Sequence, residues 1–296
     1  MLNFNKQKVK LKSEEYAYID IGSGEPIVFI HGNMSSSVHY LPLIERLQNN
    51  YRCIALDLRG FGDSSYNCGF DSLYELADDV AEFMTALNLK KAPVVAWSAG
   101  GGVALALAAR HGDLVEKLFL IEGASHKGYP IYKKKRDFSS DYGKTYEDKS
   151  AMMLDPVQVA PVLNIIATKN VTSMTDIWNN TIYVVNKPTP DDNSVYMAET
   201  MKERCLVDLD WALATFNMSD IHSAYTKGDN SIAKVTCPVA LTMADKDFTV
   251  PDWMVMENVN AIKNCKLIPY SACGHSPLVD CPDKLAEDVK EFFNGK

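Results

Sequence analysis

The sequence contains no apolar run long enough to cross a bilayer, which takes about 20 residues of helix. Basic residues are not in excess either: 30 Lys and Arg stand against 38 Asp and Glu, a net charge of −8. That balance argues against a nucleic-acid surface or an anionic membrane as partner. The basic run Lys133-Lys134-Lys135-Arg136 lies in a loop-like stretch and reads as solvated surface. The seven cysteines include no C-x-x-C pair and are odd in number, which fits a reducing cytoplasm better than a disulfide framework. The six histidines form no H-E-x-x-H and no Cys/His cluster, so no metal is expected. Gly60-Phe61-Gly62 and Gly100-Gly101-Gly102 lack the spacing of a dinucleotide loop, so no cofactor is expected either. Met1 to Glu15 is lysine-rich without an apolar core, so no secretory signal is expected and the cytoplasm is the expected location. Internal repeats and low-complexity segments are absent.

What remains is a chain of 296 residues, 47% hydrophobic, ample for a buried core. Its most informative residue is Ser98. The run Pro93-Val94-Val95-Ala96-Trp97 reads as a buried strand and the Ala/Leu-rich run Val103 to Ala109 as a helix. A serine on the turn between them, flanked by small residues, has the form of the nucleophile elbow of an acyl-transfer enzyme. In so tight a turn the residues two before and two after the serine are expected to crowd each other. Gly100 suits that demand; Ala96, where glycine is usual, is a departure of one methyl group.

Other segments agree. Ile27 to Ile30 reads as a strand running into His31-Gly32-Asn33-Met34, a position suited to half of an oxyanion hole. The backbone N–H groups of Asn33 and Ala99 are the expected donors. His31 reads as a ring that braces this loop. Val239 to Met243 is a strand leading to Asp245 and Asp247, and Lys266 to Tyr270 is a strand leading to His275. The chain order Ser98, Asp247, His275 is the order of a serine triad on an open α/β sheet. Cys273, two residues before His275, reads as a small packing residue.

With these motifs in order, and with Asp57-Leu58-Arg59-Gly60-Phe61-Gly62-Asp63-Ser64 after the second core strand, the chain resembles the α/β-hydrolase superfamily over essentially its whole length. The resemblance implies an α/β fold: a mostly parallel central sheet flanked by helices, with a helical cap inserted after the strand ending near Ile121. Its pattern of an acid three residues before Val250-Pro251 selects Asp247 over Asp245. Some members carry the acid directly after the strand following the elbow helix, which makes Glu122 the alternative acid or a buried carboxylate that tunes the site. The strand–helix alternation holds over 1–124 and 234–296, the expected core. Roughly 110 residues between, 125–233, lack that rhythm and are too many for a loop; they read as a helical cap with helices near 156–168, 172–181, 194–202 and 207–216.

Serine at the elbow suits ester, lactone or thioester chemistry, whereas dehalogenases and epoxide hydrolases of this fold use aspartate there. The expected function is a serine hydrolase cleaving a short-chain carboxylic ester through an acyl-serine intermediate, on a small-molecule substrate. Lactonase, carbon–carbon bond hydrolase, cofactor-free haloperoxidase-like or acyltransferase activity on the same triad are the alternatives, and a noncatalytic binding module is a remote one. Lys127 to Ile131, Asp155 to Leu163, Trp178 to Tyr183 and the elbow Ala-Trp-Ser-Ala-Gly-Gly-Gly are similar to bacterial intracellular short-chain polyhydroxyalkanoate (PHB) depolymerases. That likeness implies 3-hydroxybutyrate oligomer or polymer esters as substrate. Trp97 and Met34 are candidate pocket residues; Trp178, Trp211, Phe216 and Met218 line the pocket or pack the cap core. The sequence leaves the oligomeric state open.

Overall fold

The computed structural model describes residues 2–295; Met1 and Lys296 lie outside the described residues. The chain opens with strands β1 (Lys6–Lys10), β2 (Glu15–Gly22) and β3 (Glu25–Ile30). It continues through helix α1 (Leu41–Leu47), strand β4 (Tyr51–Leu56), helix α2 (Leu73–Ala86), strand β5 (Ala92–Trp97), helix α3 (Ala99–Arg110) and strand β6 (Val115–Ile121). An insertion follows, with strands β7 (Tyr132–Lys134) and β8 (Ser140–Thr145) and helices α4 (Lys149–Met152), α5 (Ala160–Ala167), α6 (Val171–Thr181), α7 (Pro190–Thr200) and α8 (Leu206–Thr215). The main alternation then resumes with β9 (Val239–Ala244), α9 (Asp252–Ala261), β10 (Cys265–Tyr270), α10 (Pro277–Asp280) and α11 (Pro282–Phe293).

Eight strands form one sheet in the order β1-β2-β4-β3-β5-β6-β9-β10. Only β2 runs against the others; every pairing from β4 to β10 is parallel. Parallel strands buried on both faces need continuous apolar runs, which Ile27 to Ile30 and Val94 to Trp97 supply. The period of two then divides the core. Val28, Ile30, Val94, Ala96, Leu118 and Leu120 join one buried cluster with α2 and α3. Ile27, Phe29, Val95, Trp97, Phe119 and Ile121 join another with α1 and α11. The sheet is the mostly parallel one expected, flanked by helices on both faces.

From β3 the chain steps to β4 on one side and then crosses to β5 on the other. The carboxyl ends of β3 and β5 therefore border a topological switch point, where open α/β sheets place their ligands. Asn33 and Ser98 follow those two ends; Glu122, Asp247 and His275 follow β6, β9 and β10, the next strands in order.

The turn at Asp57 to Ser64 is structural. The Asp57 carboxylate accepts N–H bonds from Ser37 at 2.8 Å and Asp63 at 2.9 Å and pairs with Lys6 at 2.8 Å. Gly62 has φ +46°, and a Cβ there would lie 2.2 Å from the Asp57 carboxylate. Ser64 Oγ donates to Asp57 O (2.6 Å) and accepts from Ala17 N–H (2.8 Å), tying the turn to β2. Arg59 forks onto Asp79 of α2 with two bonds of 2.8 Å, and Tyr16 donates to the same carboxylate at 2.7 Å.

The insertion departs from the sequence reading in two respects. It is not wholly helical: β7 and β8 form an antiparallel hairpin, and the expected helix near 156 begins only at Ala160. Nor is the basic run solvated throughout. Lys135 and Arg136 are exposed, but the Lys134 side chain is 3% exposed and pairs with the buried Asp155 at 2.8 Å. Alternating inward and outward side chains on a short strand send one lysine of the run inside.

Arg59→Met leaves Asp79 buried without its cation, so unfolding in urea is expected to show a loss of about 3–5 kcal/mol. Asp79→Asn together with Arg59→Met restores part of that loss.

Candidate active site

Ser98 sits between β5 and α3 with φ +55° and ψ −124°, a backbone conformation that costs an L-residue of order 1–3 kcal/mol. Its surroundings hold it there. Ser98 N–H donates to Ile121 O at 3.0 Å, and Ser98 O accepts from Gly101 N–H at 2.9 Å and Ala124 N–H at 3.1 Å. Gly100 meets a demand from beyond the turn itself. A Cβ on Gly100 would lie 2.5 Å from both Ile30 O and His31 O, so the demand for glycine comes from β3. Ala96 pairs in register with Ile30 and Leu120 and is tolerated as an ordinary sheet residue. Gly32 is constrained from the other side, since a Cβ there would be 2.8 Å from Ser98 Cβ.

His275 and Asp247 meet in the interior, Nδ1 to Oδ2 at 2.7 Å, with side chains 2% and 0% exposed. Asp247 Oδ1 accepts N–H bonds from Thr249 (2.7 Å) and Val250 (2.9 Å). Burial alone would raise its pKa, but His275 and these donors outweigh burial and hold it below the usual carboxylate range. A carboxylate accepting from Nδ1–H leaves Nε2 as the lone-pair nitrogen, and His275 lines the same cavity as Ser98. Among the described residues no hydrogen bond links Ser98 Oγ directly to the ring, a looseness usual before substrate binds. Asp245 is exposed and accepts from Cys273 N–H at 3.2 Å. Trp97 Nε1–H donates to His275 O at 2.8 Å, fixing the backbone that carries the ring.

Among the described residues no hydrogen bond joins Glu122 to His275. Glu122 is fully buried with φ +44°. Its carboxyl accepts from Thr242 Oγ1–H at 2.6 Å and Ala244 N–H at 3.1 Å. Burial first, and the Asp247 charge nearby, push its pKa up, so it is the group of the two that keeps its proton. Cys273 is buried and shares a thiol hydrogen bond of 3.5 Å with Cys281, both cysteines being free.

The loop after β3 is braced by His31. Its Nε2 accepts from Leu58 N–H at 3.0 Å, so Nδ1 carries the hydrogen and donates to Gly32 O at 2.7 Å. Burial pushes this ring down to about 4 and keeps it neutral. Asn33 Oδ1 accepts from Met34 N–H at 2.9 Å, and Asn33 Nδ2–H donates to Asp210 Oδ1 at 3.0 Å. Ala99 is the first residue of α3, where a helix leaves its N–H groups without helical partners.

Ser98, His275, Asn33, Ala99, Met34 and Trp97 all line one cavity of about 420 Å³, within the range of small-molecule sites. Of the other aromatics, Trp178 also lines it. Trp211 instead packs edge-on against Tyr225, Phe216 packs against Tyr74, and Met218 lies in the core. Sequence reasoning missed Asp210 and Gln158, which also line the cavity. Asp210 had a signal: it interrupts the buried face of α8 between Leu209 and Leu213.

One group of carboxylates among the described residues has a spacing that suits a metal: Asp57, Asp63 and Glu199. Lys6 Nζ lies among them, 2.8, 3.0 and 2.5 Å from the three. Burial would lower the pKa of this lysine, but Asp57 and Glu199 outweigh burial and raise it, so an ammonium already occupies the cation position. No helix of the described residues is long and apolar enough to cross a membrane.

A strained serine and a buried His–Asp pair beside one cavity suit a hydrolase of the open-sheet class. Residues 27–288 match the alpha/beta hydrolase family, and the chain belongs to it. It is 25% identical over 307 residues to the AB hydrolase superfamily protein YisY of Bacillus subtilis (strain 168), covering 96% of this chain and 98% of that protein. Haloalkane dehalogenase 2 of Mycobacterium tuberculosis (strain H37Rv) is 35% identical over 104 residues, covering 35% of this chain and 36% of that protein. The esterase EaEST from Exiguobacterium antarcticum shares the fold with a TM-score of 0.74 at 20% identity, covering 99% of this chain and all 100% of that one.

A carboxyl with a raised folded pKa favours the fold below that value and withdraws its contribution as pH rises through it. Wild-type stability is therefore expected to fall relative to Glu122→Gln as pH climbs above the usual carboxylate range. Chemical denaturation of the two proteins from pH 5 to 9 reads this directly; parallel curves would mean that Glu122 is ionised in the fold.

Proposed function

We propose that this protein is a serine hydrolase of short-chain carboxylic esters, with Ser98 as nucleophile, His275 as general base and acid, and Asp247 as the group that orients and stabilises the ring. The observation that carries this reading is the convergence of the Ser98 turn and the buried His275–Asp247 pair on one apolar-walled cavity. Serine is a weak nucleophile at neutral pH. His275 Nε2 takes its proton as Oγ attacks the ester carbonyl, and returns it to the departing alkoxide. Asp247 stabilises the imidazolium formed in between. The N–H groups of Asn33 and Ala99 receive the tetrahedral oxyanion, each worth about 3 kcal/mol to the transition state. Water then attacks the acyl-Ser98 with His275 as base.

Residues 125–233 act in this reading as a cap over the site that excludes water and shapes the substrate pocket. Within short-chain esters, 3-hydroxybutyrate esters are the specific substrate we put forward. The three insertion segments similar to the polyhydroxyalkanoate depolymerases contribute Tyr129, Ile131, Gln158, Val162, Trp178 and Ile182 to the cavity wall. A lactone is an internal ester and would follow the same steps.

Turnover of p-nitrophenyl esters from acetate to octanoate is expected to peak at short acyl chains and to vanish in Ser98→Ala. Asp247→Asn is expected to lose about 10⁴-fold in kcat, whereas Glu122→Gln stays within about threefold of wild type. A fluorophosphonate probe should label wild type and not Ser98→Ala. An unlabelled wild-type protein with no ester turnover would overturn the reading in favour of a binding module.

A further inference from the structure

The cavity contains a carboxyl group that the chemistry above does not use. Asp210, on α8, is 7% exposed and lines the cavity. One of its oxygens accepts from Asn33 Nδ2–H at 3.0 Å; among the described residues the other makes no hydrogen bond. An acid in an apolar wall is costly unless something pairs with it. No cation answers Asp210: the ionisable groups facing it are Glu203, Asp155 and the Tyr129 hydroxyl. Lys134 already pairs with Asp155, and Arg204 acts on Glu203.

We propose that Asp210 is a specificity-determining residue whose free carboxyl oxygen binds a hydroxyl group that the substrate carries a few bonds from its ester carbonyl. The placement follows from Asn33, whose side chain touches Asp210 and whose backbone N–H is the proposed oxyanion donor. The carboxyl thus stands one side chain away from the carbonyl oxygen. The choice of a hydroxyl follows from charge. Burial pushes Asp210 up to about 7, so near neutral pH it is present both as donor and as acceptor. A hydroxyl serves both forms, since it donates to a carboxylate and accepts from a carboxylic acid. A substrate carboxylate would add its charge beside Asp210 with no cation there to answer it. The proposal rests on the ester-hydrolase reading, and it converts a pocket that merely fits short acyl chains into one that discriminates among them.

The test is the ratio of kcat/KM for ethyl 3-hydroxybutyrate over ethyl butyrate, followed by pH-stat in wild type, Asp210→Asn and Asp210→Leu. Wild type is expected to prefer the hydroxy ester. Asp210→Leu is expected to lower the ratio about 10- to 100-fold, and Asp210→Asn, which keeps a donor and an acceptor, to retain most of it. If Asp210 only positions Asn33, both esters slow together in Asp210→Leu and the ratio holds, which overturns the proposal. A wild type that hydrolyses ethyl butyrate with no preference for the hydroxy ester also overturns it while leaving the ester-hydrolase reading intact. Turnover of neither ester fails that reading, and the proposal with it. Should Asp210→Leu not fold, ethyl 3-methoxybutyrate replaces it with wild type alone. The methoxy oxygen cannot donate, so the preference is expected to shrink; an undiminished preference counts against Asp210.

Discussion

The structure around the site depends on the close approach of the turn after β5 to the end of β3. A Cβ on Gly100 would sit 2.5 Å from the carbonyl oxygens of Ile30 and His31 at the end of β3, and one on Gly32 would sit 2.8 Å from Ser98 Cβ. Neither position has room for a side chain. That contact brings the Ser98 turn against the loop bearing Asn33, the residue proposed as half of the oxyanion hole. It also fixes the cost. Ser98 has φ +55°, and the backbone bonds to Ile121, Gly101 and Ala124 must offset a strain of order 1–3 kcal/mol. The Gly-rich start of α3 extends the same logic. Gly101 approaches the Cα of Gly123 and Gly102 approaches Leu73, so α3 packs closely against the segment that follows β6 and against α2.

Electrostatics around the cavity is a matter of which carboxyls keep their protons. Asp247 accepts two backbone N–H groups and faces His275, and those interactions outweigh its burial. Glu122 lies close to Asp247 in the same interior and has no ring to face; burial and the neighbouring charge push it the other way. Two carboxyls so near each other cannot both ionise cheaply. The difference in partners, rather than in residue type, makes one a permanent anion and the other an acid. Asp57 solves the same problem by a third route, with Lys6 as a buried counter-ion.

Much of this was legible in the sequence, because the central strands β3 and β5 are apolar runs and the residues that follow the sheet strands are unusual. Ser98, Asp247 and His275 each sit just beyond such a strand, where little but geometry or chemistry calls for a polar residue. The insertion was less legible. Four of its five helices were expected and α4 was not; the β7–β8 hairpin has three residues in one strand and mostly polar ones in the other, which leaves no alternation to detect. Lys134 read as surface because the buried partner, Asp155, is remote in sequence from the run and comes close only in the fold. The second reason for Gly100 was hidden for a related cause: its closest crowding comes from the end of a strand some seventy residues earlier.

Asp210 belongs to the insertion and Asn33 to the core, and a single 3.0 Å hydrogen bond joins them. Asn33 in turn holds the Met34 N–H with its own side-chain oxygen. The conformation of the core loop is therefore set partly by a residue of α8. His31 steadies the other end of that loop through Leu58, which belongs to the core alone. The insertion and the core are thus not separable modules, one for substrate choice and one for chemistry. A change in the insertion that moved α8 would be felt at Asn33, where the proposed oxyanion donor sits, as well as in the cavity wall, to which Leu206 and Leu213 of the same helix contribute.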